Sequence, residues 1–426
     1  MRKQAVFLLL AILALLGPST QAWSQGEYAR SGVGHDGTPI QGKLKRLDEQ
    51  GRLVLEQGDQ QKVVESGQLA YWGRLAAARE GAWLLMSGES RIVADLISWN
   101  EERVTVESRY WQQTTIPVAS LRGIVLRPPT SVARQDRLLR QIQEHVAGED
   151  LVFLQDGDIL RGAVLGFSAM REILPLVRIR IAGQAEAARI PFSKVQAVAF
   201  RHLPTGSAED PANRWVVGFR DGSQLSVKSL KQQDTELHSI MEHGLKLVRQ
   251  TAPGRDAWHD VVYLRPVDPK TQYLSDLEPL GYKHIPYLGA AWSYQMDHGV
   301  MGGRLTSGGV LYEKGIGMHS TSRLAFEVPA NAGWFHAEMG LDDSAGRRGS
   351  VVFLVYCQRA TEKESTSSWE MVFQSEVVRG GDVPGRVRVS LEGVRRMALV
   401  VQHADRGDVK DHANWLQARI TIKPSE

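Results

Sequence analysis

Cysteine is almost missing from this 426-residue chain, where Cys357 stands alone. A single thiol excludes an intrachain disulfide and a cysteine-built metal cage, so stability has to come from packed cores. Excess charge is missing too. The formal balance is +3, from 51 basic and 48 acidic residues, and removal of Arg2 and Lys3 with a leader would leave 49 against 48. Phosphate binding needs a clustered surplus of Lys and Arg, so this balance argues against nucleic acid as a partner. Long apolar runs are absent after the first residues. The run Ala5–Leu16 covers 12 residues, whereas a bilayer core needs roughly twenty. No transmembrane anchor is expected.

That first run has the form of a secretory signal over residues 1–22. Arg2 and Lys3 lead it, Gly17 and Pro18 break it, and Thr20-Gln21-Ala22 supplies the small residues a signal peptidase reads. Cleavage is expected near Trp23 or Gln25, and no cysteine ends the run to carry a lipid. The expected location is secreted, periplasmic or cell-surface.

What is present is glycine, 41 residues of it, with 42% apolar content. That suits a mainly β chain of two or three domains. In the first half a unit recurs about four times, opening on a turn and continuing through alternating strands to an Ile-Pro or similar pair and a hydrophobic strand. Asp36-Gly37, Gly88-Glu89, Asp156-Gly157 and Asp221-Gly222 mark the openings. Asp-Gly tolerates the positive backbone angles of a tight hairpin, and period-two alternation buries one face of each strand. Small antiparallel barrels or hairpin sheets are predicted for residues 25–127 and 149–265. Each is too small to close a good core alone, so the units should pair or pack.

Between them, 128–148 reads as an amphipathic helical spacer carrying Val132, Leu138, Leu139, Ile142 and Val146, ended by Gly148. Prolines loosen the chain before a linker at 266–272, and the last domain is placed at 273–426. The polar, Ser/Thr-rich tip of the stretch after Cys357 reads as a solvated loop.

In that last domain "YLSDLEP", "YEKGIGMHSTSRLAFEV", "FHAEMGLDDSAGRRGSVVFLVY" and "DHANWLQARITI" follow in order. Together they resemble the NPCBM family, a carbohydrate-binding module first associated with glycoside hydrolases, over about residues 273–423. The resemblance implies a jelly-roll, galactose-binding-like β-sandwich holding sugar on loops at one edge. The short strands joined by glycine-bearing turns agree with a two-sheet sandwich. Gly315 and Gly317 would let the chain turn sharply before His319.

Candidate carbohydrate-binding residues are Trp292, Tyr294, His298, His319, Arg347, His412 and Asn414. Trp292 and Tyr294 read as stacking rings. His319 reads either as a hydroxyl partner or as a turn histidine bonded to its own backbone. Trp415 alternates with Leu416 on a strand and reads as core. No cofactor is required. A structural calcium is left open on Asp342, Asp343, Asp408 and Asp411, against the plainer reading of solvated loop acids.

Nothing reads as a catalytic centre. Asp156 and Asp158 flank a turn glycine and turn chemistry explains them. Neither Gly-x-Ser-x-Gly nor His-Glu-x-x-His occurs, and His238 and His243 would fall on different faces of a helix. The chain therefore reads as an exported non-enzyme with a glycan partner, galactose-containing ones among them. The alternative is a cell-envelope structural protein whose repeats contact a protein and whose sandwich no longer binds sugar.

Overall fold

The computed structural model describes residues 31–86, 90–146, 148–168, 175–201, 214–242, 244–251, 256–287, 291–359 and 368–423. The signal segment, Gly88-Glu89 and His243 lie outside the described residues. Among the described residues no helix is long and apolar enough to cross a membrane.

The first unit runs β1 (Ser31–Gly34), β2 (Pro39–Gln41), β3 (Lys43–Leu47), β4 (Leu53–Gln57), β5 (Gln60–Val64) and β6 (Leu69–Gly73). The second runs β7 (Ala82–Met86), β8 (Arg91–Asn100), β9 (Arg103–Ser108), β10 (Gln112–Pro117) and β11 (Leu121–Val125). Helix α1 (Val132–Gln143) follows. The third unit is β12 (Asp150–Leu154), β13 (Ile159–Ser168), β14 (Leu176–Arg180), β15 (Ala188–Pro191) and β16 (Val195–Ala199). The fourth is β17 (Arg214–Phe219), β18 (Gln224–Gln233), β19 (Glu236–Met241), β20 (Lys246–Gln250) and β21 (Val261–Val267).

In every unit the first and last strands pair: β1 with β6, β7 with β11, β12 with β16 and β17 with β21. The ten-residue strands β8, β13 and β18 each pair with the strand before at one end and with the strand after at the other. A strand shared this way wraps the sheet round on itself. In the first unit it is broken into β2 and β3 at Gly42.

Each unit therefore begins one strand earlier than the turn that marks it in the sequence. Asp36-Gly37 joins β1 to β2, Asp156-Gly157 joins β12 to β13, and Asp221-Gly222 joins β17 to β18, with glycine φ of 86°, 100° and 85°. The opening strands, such as "AWLLM" and "DLVFL", are buried nearly throughout. They show no alternation, so a period-two reading passes over them. His238 corrects a second expectation, since "ELHSIM" is the strand β19, with alternating burial, and not a helix.

The units pair through their last strands. β11 meets β16 with Ile124 opposite Val198, and β6 meets β21 with Trp72 opposite Leu264. Second is thus joined to third and first to fourth, around one core that includes Leu55, Trp72, Ile92, Val106, Val198, Val217 and Leu264. Each pairing leaves an outer sheet face to be covered. Over the second and third units, Trp83, Leu85, Val125, Phe153, Ala197 and Ala199 receive Leu138 and Ile142 of α1. Leu138 and Ile142 carry that face, whereas Val132 and Val146 are exposed. The helix ends at Gln143, well before Gly148, where the Arg122 guanidinium donates to the Gln143 carbonyl and caps the last turn.

The other outer face, with Val33, Tyr71, Val216 and Tyr263, is covered by the C-terminal domain through Leu311. The stretch read as a linker, 266–272, is only a turn at Asp268 to Lys270 between β21 and β22 (Thr271–Tyr273). Beyond it come β23 (Gly281–His284), β24 (Gln295–Met296), β25 (Thr306–Ser307), β26 (Val310–Leu311), β27 (Gly315–His319), β28 (Ser322–Glu327) and β29 (Ala332–Leu341). Then follow β30 (Ser350–Arg359), β31 (Trp369–Gln374), β32 (Val378–Arg379), β33 (Gly385–Ser390), β34 (Val394–His403) and β35 (His412–Ile422). The Ser/Thr-rich tip after Cys357 lies outside the described residues, and beyond it β31 forms the edge of a sheet.

Two antiparallel sheets result. One has the order β24-β27-β35-β29-β33, with β22 on β35; the other is β23-β28-β34-β30-β31, with β32 on β30. Their facing side chains form one core around Phe326, Phe335, Phe353 and Trp415, all fully buried. Trp415 lies edge-on to Phe353 at 4.9 Å, as its alternation with Leu416 suggests.

Two carboxylates of the sandwich are buried against the repeats. Glu313 accepts from Arg265 Nε and Nη2 at 2.7 Å each and from the Tyr263 hydroxyl at 2.7 Å. Glu338 accepts from Tyr71 at 2.5 Å and Tyr312 at 3.1 Å, with Arg74 at 3.4 Å.

Candidate functional site

A cluster of rings sits where β23, β27 and β35 end together at one rim of the sandwich. Trp292 lies parallel to His319, 4.8 Å between centroids and 6° between planes. His412 stands 5.8 Å from His319 and 6.4 Å from Trp292. His284 meets the edge of His319 at 5.7 Å.

Hydrogen bonds fix this arrangement. Tyr282 donates to the Trp292 carbonyl at 2.8 Å, while the Trp292 amide donates to His284 Nδ1 at 3.2 Å. The Trp292 peptide is thus clamped from both sides by β23. Because His284 Nδ1 accepts, its Nε2 carries the proton that goes to the Ser320 carbonyl, 2.9 Å away. His319 Nδ1 donates to the same carbonyl at 2.9 Å, which leaves Nε2 as an acceptor. The two readings of His319 therefore combine, for it is bonded to local backbone through one nitrogen and aligned with Trp292 by its ring. His412 Nδ1 pairs with the Ser344 hydroxyl at 2.9 Å.

Burial keeps two of the rim imidazoles uncharged. Burial lowers the pKa of His319 and takes that of His412 down to about 4, where the neighbouring His319 adds to the effect. Both imidazoles are neutral at neutral pH and can exchange hydrogen bonds with hydroxyl groups without carrying a buried charge.

The glycines act differently from the sequence expectation. Gly315 and Gly317 lie inside the extended strand β27 and do not make a turn. A Cβ on Gly315 would come 2.5 Å from the Trp415 carbonyl, and one on Gly317 2.4 Å from that of His298. Both positions therefore permit close approach of neighbouring backbone.

The structure brings Trp292, His319 and His412 together and separates the other candidates. Tyr294 turns toward the core margin, edge-on to Tyr282 at 5.0 Å. His298 bonds the Met296 carbonyl and lines a cavity of about 210 Å³ toward the repeats, with Arg91, Asp136 and Arg304. Asn414 is fully buried and donates to the Thr306 carbonyl and to Asp342. Arg347 is exposed on the turn after Ser344. Sequence reasoning missed His284, Ser344 and Tyr282. The signal available was the run "GYKH", whose alternation puts Tyr282 and His284 on one face of a strand.

The four aspartates proposed for calcium do not converge. Asp342 accepts from the Ser344 amide, Thr306 and Asn414. Asp343 accepts from the Gly309 amide, and Asp408 from the Tyr287 amide. Asp411 is held by Ser320 at 2.6 Å and the Ser350 amide at 2.9 Å. Among the described residues no three His, Cys, Asp or Glu side chains could share an ion. Calcium takes six to eight oxygen ligands around one point, and these four side chains do not supply them together.

Burial pushes the Asp411 carboxyl up to about 6, beyond what its two hydrogen bonds return. An acid with a raised folded pKa adds stability below its unfolded value, 3.8, and loses that contribution as pH rises toward about 6. Asp411→Asn is therefore expected to gain on the parent protein, in thermal midpoint, by a few degrees between acid and neutral pH. A midpoint difference that stays constant over that range would contradict this assignment.

A closed two-sheet sandwich with a rim of rings and neutral hydrogen-bonding groups places the C-terminal part among the β-sandwich binding modules. Residues 270–421 match the family model described as NPCBM/NEW2 domain. A curated relative, Alpha-1,3-galactosidase B of Akkermansia muciniphila, is 31% identical over 126 residues, and the chain spans 14% of that protein's length. The match takes in 29% of this chain. A second, from Renibacterium salmoninarum, is 27% identical over 130 residues, covering 28% of this chain and 8% of that protein. A solved structure, CBM51 from Clostridium perfringens GH95 in complex with methyl-galactose, is 26% identical over 35% of this chain and 99% of that one, with a TM-score of 0.30.

Proposed function

We propose that the protein is an exported, non-catalytic glycan binder, with the sandwich rim as its sugar site and the four β-units as its scaffold. The parallel stack of Trp292 on His319, beside the neutral His412, is the observation that carries this reading. A pyranose presents an apolar face for an indole and hydroxyls for imidazole nitrogens, the Ser344 hydroxyl and Arg347. Small-ligand sites bind with few, well-placed polar groups. Galactosides head the list of ligands because the curated relative is named for galactoside chemistry.

The test is titration calorimetry of the full-length protein, starting with methyl α-galactoside and lactose and extended by a glycan array, with and without calcium. Trp292→Ala is expected to weaken binding by roughly tenfold or more, equivalent to about 1.4 kcal/mol. Binding should be level around neutral pH and fall toward about 4, where His412 takes a proton. No binding to any glycan, or an affinity indifferent to Trp292→Ala, would rule this reading out.

A further inference from the structure

The two outer faces of the sandwich have different fates. That of the β29 sheet meets the repeats through Glu338. That of the β28 sheet is an open trough of about 920 Å³. Strand register builds it. Gly281, Ala325 and Ala398 lie opposite one another on three adjacent strands, and Ala398 is followed by Tyr356 on the next. Three of the smallest side chains in one cross-strand row lower the floor. With neighbouring strands about 4.8 Å apart, that floor is roughly 10 Å across.

Larger side chains flank it. Lys283 stands on one side, and Tyr356 and Trp369 on the other, with Trp369 43% exposed. The charge lining it is of one sign. Lys283, Arg323 and Arg396 line the trough, and among the described residues no acidic side chain does. Arg396 reaches Glu327 at 3.4 Å, in a solvent-exposed contact. A surface ion pair of this kind contributes little and yields easily to a ligand.

We propose that this face is a second binding groove, for an extended acidic polysaccharide whose carboxylate or sulfate groups meet Lys283, Arg323 and Arg396 while sugar rings lie on Trp369 and Tyr356. An apolar peptide would offer the three cations nothing to bind, and a neutral glycan would use the rings alone. An anionic glycan matches both features. The near-neutral overall charge makes this a local preference, not a general affinity for polyanions. The two rings proposed to carry sugar here, Trp369 and Tyr356, are not those of the Trp292 rim, so either site can fail without the other.

The test is affinity electrophoresis of the full-length protein in gels containing polygalacturonate, dextran sulfate or neutral dextran. Polygalacturonate supplies carboxylates and dextran sulfate supplies sulfates, so the pair separates the two anion sources. Retardation is expected in at least one anionic gel and not in dextran. Arg323→Gln and Trp369→Ala, both at exposed positions and checked for folding by circular dichroism, should each weaken it about tenfold. Trp292→Ala should leave it unchanged. The groove is overturned by no retardation in either anionic gel, by retardation that survives Trp369→Ala, or by loss on Trp292→Ala. Loss of galactoside binding with retardation intact would sink the rim and leave the groove standing.

Discussion

Replacing Glu313 with alanine is expected to lower the unfolding free energy by roughly 3–5 kcal/mol. The carboxylate is 1% exposed in its side chain and faces an Arg265 that is 10% exposed. Removing it leaves a guanidinium and the Tyr263 hydroxyl without their acceptor at a dry seam, and stranding a buried charge is far more costly than losing a surface pair. Because the seam joins sandwich to scaffold, the variant should also become sensitive to protease at the Asp268 to Lys270 turn. Burial raises the Glu313 pKa, but the charge and hydrogen bonds of Arg265 and the hydrogen bond from Tyr263 outweigh it and hold the group below its ordinary 4.5. A lowered carboxyl pKa stabilises the fold above about 4.5, and that contribution is lost as pH falls through the folded value. The parent protein should therefore lose thermal midpoint on acidification faster than Glu313→Gln. Equal slopes, together with an unchanged midpoint for the alanine variant, would remove the seam from any account of stability.

Gly73→Ala is expected to destabilise by about 3 kcal/mol or more, through strain of roughly 1–3 kcal/mol in the backbone and a similar overpacking term. Gly73 has φ of 76°, and a Cβ there would stand 1.9 Å from the Val262 carbonyl. Neither atom can yield, because both belong to the backbone where β6 pairs with β21. The first and fourth units would be forced apart at Trp72 and Leu264. Denaturant unfolding measures the loss. The matched control is Gly51→Ala, which has nothing within 4 Å, so that only its φ of 74° is at issue. Similar losses at both positions would show that the backbone angle matters and the close approach does not.

The repeats were legible through their turns because Asp-Gly is a local requirement of backbone geometry. Their opening strands were not legible, since a strand buried on both faces loses its alternation. Among the candidate site residues, Trp292, His319 and His412 come together while Tyr294, His298 and Asn414 do not. Nothing local in the sequence sorts these six. What separates them is how far each stands from the rim and what remote segments bring near it, as Thr306 and Asp342 are brought to Asn414. His284 and Ser344 went unnoticed for the same reason, since each acts only through a partner far along the chain.

By itself, the sequence determined the mainly β character and the turn-marked units, because local angles and short-range alternation write these directly, and it carried the likeness of the last domain to a known module through four ordered motifs. Only the tertiary structure decided that units pair first with fourth and second with third, that a helix covers one pair and the sandwich the other, and which rings meet at the rim. Those outcomes depend on register and on covering apolar faces between segments remote in the chain, and no local pattern encodes them.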